Sequence, residues 1–130
     1  METSKLRTLA HNASKNAYSP YSKVLVGCAL ETDDGSIFTG CNVENASYGG
    51  TVCAERVAIF KAVSEKKMRL KKVYVYTSEG WPPCGLCRQV MSEFASPELE
   101  VIMGNESGKE KIMKFSDLMP LSFTPEHLGK

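Results

Sequence analysis

A chain of 130 residues has the length of one compact domain and can bury a core without disulfide staples. Sixteen basic residues against fifteen acidic ones leave a net charge of +1, which excludes an overall electrostatic bias toward nucleic acid or an anionic membrane surface. No segment approaches the roughly 20 apolar residues of a membrane span. Met1 to Arg7 is polar with no apolar run behind it, and five cysteines is an odd number for a disulfide framework. These features predict one soluble cytoplasmic domain over 1–130, reduced thiols, no membrane association and a small partner.

In chain order, Leu6, Leu9, Ala10, Ala13 and Ala17 recur at steps of three and four, which predicts a helix from Thr3 to Ala17 that ends at Ser19-Pro20. Val24 to Thr32 reads as a strand. Asp33-Asp34-Gly35-Ser36 turns the chain, with Asp-Gly expected to supply positive backbone angles, and Ile37 to Val43 returns as a second strand. After a loop of small residues from Asn45 to Thr51, helical spacing resumes at Ala54, Val57, Ala58 and Ala62, with Cys53 at its start. Val73 to Thr77 is a third strand, broken by Gly80-Trp81-Pro82-Pro83. Leu86, Val90, Met91 and Phe94 mark a third helix, and Leu99 to Met103 a fourth strand after Ser96-Pro97. Lys111 to Phe115 is a short fifth strand, Ser116 to Met119 a helical turn, and the rest a tail. Strands separated by helices predict an α/β layered sheet. There are no internal repeats, low-complexity segments or linkers.

Cys53, Cys84 and Cys87 have the spacing of a catalytic zinc site. A zinc ion that does chemistry takes three protein ligands and leaves the fourth tetrahedral position to water. Zinc is borderline-soft and suits thiolates. Both cysteine segments enter helices, where the dipole favours thiolate. Glu55, two residues from Cys53, is placed to carry protons. Three thiolates and Zn²⁺ sum to a net charge of minus one, which opposes ionising the water. Arg56 is the candidate to offset it, since a charge about 4 Å away at an effective dielectric near 20 is worth roughly 4 kcal/mol before desolvation. Arg88 fits an ordinary ion pair. Cys28 and Cys41, in strands, fit the core, although either could be the fourth ligand of a purely structural zinc site.

Tyr18-Ser19-Pro20-Tyr21-Ser22-Lys23, Gly40 to Tyr48, Cys53-Ala54-Glu55-Arg56 and Pro83-Cys84-Gly85-Leu86-Cys87-Arg88-Gln89 together resemble the zinc-dependent cytidine deaminases of small, three-cysteine type. The resemblance covers nearly the whole chain. It implies a three-layer α/β/α fold with a mixed sheet of about five strands, and hydrolytic deamination of cytidine and deoxycytidine in pyrimidine salvage. In that scheme a zinc-bound hydroxide attacks C4, with Cys53, Cys84 and Cys87 holding the metal and Glu55 shuttling protons. Asn42 and Glu44 would bind the ribose 3′-hydroxyl, the Ala54 N–H would face the pyrimidine carbonyl, and the Pro82 carbonyl would face the leaving amine. Small members are homotetramers with shared active sites, so Tyr48 and Phe123 are expected to cross interfaces.

The chain departs from the family pattern in the base pocket. Val24 stands where a phenylalanine usually packs on the pyrimidine, and such a ring contact is worth about 0.5 to 1.5 kcal/mol. Trp81 replaces a typical aliphatic residue and is expected to line the pocket in compensation, while Pro82 keeps a carbonyl but loses an N–H. Taken alone, Trp81 would be a packing aromatic, Phe123 core, Asn42 and Glu44 solvated strand-exit residues, and His11 and His127 surface groups. Two other activities compete: deamination of a related aminopyrimidine nucleoside of blasticidin type, which Val24 makes less remote, and polynucleotide deamination. The latter is favoured by Trp81 and the basic run Lys66 to Lys72, a run that otherwise reads as a solvated turn.

Overall fold

The computed structural model describes residues 2–129; Met1 and Lys130 lie outside the described residues. Helix α1 (Glu2–Ser14) leads into β1 (Gly27–Thr32) and β2 (Ile37–Cys41), then α2 (Ala54–Ser64), β3 (Leu70–Tyr76), α3 (Gly85–Phe94), β4 (Ala95–Gly104), β5 (Glu110–Lys114) and α4 (Phe115–Leu118). The five strands form one sheet in the order β2-β1-β3-β4-β5. It is mixed: β3 and β4 run parallel across the α3 crossover, and the other neighbours are antiparallel.

Both faces of the sheet are covered, as the alternation of side chains along its central strands requires. Leu30, Val73, Val75, Val101 and Met103 pack with Ala58, Ile59 and Ala62 of α2 and with Cys87 and Met91 of α3. Ala29, Tyr74 and Ile102, one residue out of phase, pack with Leu6 and Ala10 of α1. The layers are therefore α1, sheet, and α2 with α3. Cys28 is fully buried in the larger cluster, whereas Cys41, expected in the core, is only half-buried.

Several boundaries differ from the periodicity. Helix α1 stops at Ser14, whose Oγ donates to the His11 carbonyl at 2.6 Å, so Ala17 falls outside it. The chain is drawn away because Tyr18 bridges to Val43. Strand β1 begins at Gly27, since the Asn42 side chain occupies the backbone of Val24 and Val26 ahead of it. In the 33–36 turn only Gly35 has a positive φ, 88°; Asp34 instead accepts the Ser36 N–H and the Thr32 hydroxyl. Ser96-Pro97 does not precede β4 but lies within it, where the register with β3 shifts between the Leu70–Ala95 and Lys72–Glu100 pairs. A bulge of that kind tolerates a residue without an N–H. The expected tail contains a short 3₁₀ turn, Pro125–Leu128.

Gly40 of β2 seats α2. A Cβ there would lie 2.6 Å from the Ala54 carbonyl oxygen and from the Ala58 nitrogen, so the helix that begins at the site rests directly on backbone.

Candidate active site

Cys53 is the N-cap residue of α2 and Cys84 that of α3, both in extended backbone conformation, and Cys87 lies one turn into α3. The two helix amino-termini on one sheet face bring the three sulfurs together. Cys53 Sγ is 3.7 Å from Cys84 Sγ, which is 3.5 Å from Cys87 Sγ, and all three lie within 4.8 Å of one another. Sulfurs at a Zn–S distance of about 2.3 Å in a tetrahedron stand roughly 3.8 Å apart. The geometry therefore fits zinc with no ligand moved far, and neither Cys28 nor Cys41 belongs to the cluster.

The sulfurs are not equivalent. The Cys87 thiol donates to Cys53, and with the Arg56 guanidinium this holds Cys53 at about 5 against the opposing effect of burial. Cys87, the donor and buried, is pushed well up. Arg56 Nη2 points at Cys53 Sγ at 3.6 Å and at the Thr51 carbonyl at 3.4 Å, while Arg56 Nε is buried with no hydrogen-bond partner among the described residues. Its charge lies where it would offset the excess negative charge of three thiolates around a zinc ion.

Glu55 is 4% exposed. Burial raises its carboxyl to about 7, with the Cys53 thiolate adding to the shift and its own backbone N–H and Arg56 opposing it. A carboxyl poised there exchanges protons readily near neutral pH.

Cys53, Cys84 and Glu55 border a cavity of about 310 Å³, also lined by Val24, Asn42, Glu44, Ala54, Trp81 and Pro82. Asn42 is buried. Its Oδ1 accepts the Val26 N–H and its Nδ2 donates to the Val24 carbonyl, both at 2.9 Å. The Glu44 carboxylate accepts the N–H groups of Tyr21 and Ser22 at 3.0 and 3.1 Å and the Ser22 hydroxyl, which lower its pKa. Neither is a free strand-exit residue: together they fasten the 18–26 segment over the cavity, with one Asn42 hydrogen and carboxylate lone pairs to spare.

Trp81 lines the cavity but remains 49% exposed. Tyr48 and Phe123 are not brought into it. Tyr48, 76% exposed, borders an adjoining cleft with Tyr21, and Phe123 stacks on His127 at 5.4 Å while its carbonyl accepts from Gln89. Among the described residues Arg88 forms no ion pair; its Nε donates to the Pro83 carbonyl and its Nη1 to that of Leu118, each at 2.9 Å, tying the Cys84 loop to the carboxy-terminal segment. Exposed His11 lies against Tyr76, the ring centroids 4.6 Å apart and the planes tilted by 31°.

Thr77 was not singled out by motif or spacing. It is buried, lines the cavity, and its Oγ1 accepts the N–H groups of Gly80 and Trp81 at 2.7 and 2.8 Å, setting the loop that carries Pro82. A threonine closing a strand before Gly-Trp-Pro-Pro is the signal that such a turn leaves in sequence. The basic run is not a free cationic surface: Lys67 pairs with Asp34 at 2.7 Å, and Arg69, Lys71 and Lys72 share a cleft with Asp33, Glu98 and Glu100. Among the described residues no helix is long and apolar enough to cross a membrane.

Residues 1–103 match the model for the cytidine and deoxycytidylate deaminase zinc-binding region. The chain is 45% identical over 122 residues to a cytidine deaminase of Halalkalibacterium halodurans, covering 92% of each, and 42% identical to one of Sporosarcina psychrophila, covering 99% of this chain and 96% of that one. Its fold superposes on the crystal structure of cytidine deaminase from Burkholderia pseudomallei with a TM-score of 0.90 at 42% identity, over 95% of this chain and 100% of that one. For the Mycobacterium tuberculosis cytidine deaminase the TM-score is 0.82 at 38% identity, over 95% and 98%. With its three-cysteine cluster beside a buried glutamate, the chain belongs to the zinc-binding cytidine and deoxycytidylate deaminase family.

Proposed function

We propose that this chain catalyses the hydrolytic deamination of cytidine and deoxycytidine to uridine and deoxyuridine, with release of ammonia. The observation that carries the reading is Glu55, buried at the cavity that Cys53 and Cys84 of the zinc-fitting sulfur cluster also line. When bound, zinc lowers the pKa of a coordinated water to about 7 and so supplies a nucleophile at neutral pH. Glu55 accepts one proton from the attacking water and passes it to the pyrimidine ring nitrogen, then takes the second from the new C4 hydroxyl and gives it to the departing amine. The Ala54 N–H orients the pyrimidine carbonyl and the Pro82 carbonyl accepts from the amino group. Asn42 and Glu44 receive the ribose with the hydrogen-bonding capacity left after they have positioned residues 21 to 26. Val24 and Trp81 flank the base.

The 1–130 chain acts in this reading as one domain in cytoplasmic pyrimidine salvage, and as a homotetramer whose sites are completed by Tyr48 and Phe123 of neighbouring copies. Support comes from exposed apolar groups: Leu86 between Cys84 and Cys87, and Leu121 and Phe123 in the carboxy-terminal segment that Arg88 and Gln89 tie to α3. The test of the activity is the absorbance change on mixing zinc-loaded protein with cytidine; no turnover at full zinc occupancy overturns it. The shared site is tested by mixing Glu55→Gln with Phe123→Ala: mixed tetramers recover activity that neither parent has, and strictly additive activities exclude sharing.

A further inference from the structure

Thr77 and Arg88 hold the loop between β3 and α3 at its two ends. Upstream, the Thr77 hydroxyl oxygen accepts the N–H groups of Gly80 and Trp81 at 2.7 and 2.8 Å. Pro82 and Pro83 follow, and neither has an N–H to donate, so only carbonyls can fix the backbone there. The carbonyl of buried Pro83 accepts from Arg88 Nε at 2.9 Å. Pro82 lies between the two anchors, and among the described residues its carbonyl is uncommitted. Cys84 comes next as the N-cap of α3 and lines the same cavity as Pro82.

The same guanidinium reaches the carboxy-terminal segment. Arg88 Nη1 donates to the carbonyl of Leu118, the last residue of α4, at 2.9 Å, and Gln89 donates to the Phe123 carbonyl at 2.9 Å. The larger core cluster takes in Leu118 and Met119 and, among the described residues, none that follow. Beyond them the chain turns through Leu121, whose φ is 54° and whose side chain is fully exposed. One planar group therefore joins the loop that carries Cys84 to a segment that apolar packing barely fixes. A lysine at this position would keep the charge but not the fork, and would hold one carbonyl at a time.

We propose that Arg88 is a positioning residue: by holding the Pro83 carbonyl it sets both Cys84 and the Pro82 carbonyl, and by holding Leu118 it makes that setting depend on the carboxy-terminal segment. The part that concerns Pro82 rests on the deaminase reading above, in which its carbonyl accepts from the departing amino group. That hydrogen bond strengthens as the nitrogen is protonated to leave, so a displaced Pro82 carbonyl lowers kcat more than it raises KM. The part that concerns Cys84 stands on the anchor alone. A thiolate ligand whose backbone loosens lets the metal go faster.

The test uses Arg88→Lys, with Gln89→Ala as the comparison that unties Phe123 and leaves Pro83 held. In Arg88→Lys, kcat for cytidine should fall roughly 10- to 100-fold with KM within about threefold, and zinc should pass to a chromophoric chelator roughly tenfold faster or more. Cobalt-loaded Arg88→Lys should also show altered thiolate-to-metal absorption. Gln89→Ala should lose zinc at the wild-type rate. Since coupling is reciprocal, zinc loading of wild type should slow amide exchange in residues 116–124, and Arg88→Lys should abolish that slowing. Wild-type zinc release and kcat in Arg88→Lys overturn the proposal, as does a loss confined to KM or the same zinc release in both variants. Unchanged exchange in wild type on zinc loading overturns the coupling even if Arg88→Lys does not fold. No turnover by zinc-loaded wild type removes the deaminase reading and the Pro82 part with it, while zinc release and cobalt absorption still decide the hold on Cys84.

Discussion

Arg56 Nη2 lies 3.6 Å from Cys53 Sγ, on the helix that Cys53 caps. This contact places a positive charge against the one sulfur already held at about 5. Arg56→Gln is expected to raise the Cys53 pKa in metal-free protein, read from thiolate ultraviolet absorbance against pH. In zinc-loaded protein it should cost roughly 10- to 100-fold in activity or metal affinity. An unshifted thiolate titration would remove Arg56 from the charge balance.

Glu55 and the cysteines separate by what each variant keeps. Glu55→Gln should retain stoichiometric zinc by elemental analysis while turnover of cytidine drops about 10²- to 10⁴-fold. Cys84→Ala should lose the metal itself. Zinc loss in Glu55→Gln would make the glutamate a structural group rather than a proton carrier.

Buried Glu55 also sets a pH dependence on metal-free protein. Its folded pKa of about 7 lies above the ordinary carboxyl value of 4.5, so the folded state binds more protons between those values and this contribution to stability falls as pH rises through that window. Cys53, held at about 5 below the ordinary thiol value of 9.0, acts in the opposite sense above its folded pKa. The difference between wild type and Glu55→Gln isolates the first effect. Relative to the variant, wild type should lose about 3 kcal/mol between pH 4.5 and 7 and nothing further above it, measured by urea denaturation at a series of pH values.

Asn42→Ala removes the acceptor for Val26 and the donor to Val24 together. The expected cost is about 1–3 kcal/mol in urea denaturation, with a raised KM for cytidine as the cover over the cavity loosens. Stability equal to wild type would mean that water replaces the clamp without loss.

Gly40→Ala pushes a methyl group against the backbone of Ala54 and Ala58, since the added atom would sit 2.6 Å from both. Displacing the start of α2 moves Cys53 and Glu55 with it. A loss of about 1–3 kcal/mol in stability is expected together with weaker zinc retention in a chelator competition. Lost stability with zinc retention unchanged would show that the helix shifts as a unit without opening the site.

The grouping of Cys53, Cys84 and Cys87, the place of Glu55 beside them and the main elements were legible because their signals are local. Apolar spacing marks α2 and α3, and the N-cap positions of Cys53 and Cys84 follow from where that spacing starts. Boundaries governed by distant partners were not. Ala17 continues the periodicity of α1, yet Tyr18 pairs with Val43 and draws the chain out of the helix. Val24 to Val26 has strand composition, yet the Asn42 side chain takes the place of a neighbouring strand. Thr77 carries no catalytic signature, because its part is to hold two backbone N–H groups.

The sequence by itself determined the chemistry: which atoms can bind zinc, which carboxyl can move protons, and that Cys84 and Cys87, a helical turn apart, must converge, as their 3.5 Å separation reflects. Only the tertiary structure decided what those atoms meet. Cys53 comes within 3.7 Å of Cys84, thirty-one residues away, because α2 and α3 pack on the same face of one sheet. The same packing buries Glu55 and brings Val24 and Trp81 to one rim. Local spacing fixes neighbours along a helix or strand, but contacts between separate elements depend on how the buried faces of all of them fit together.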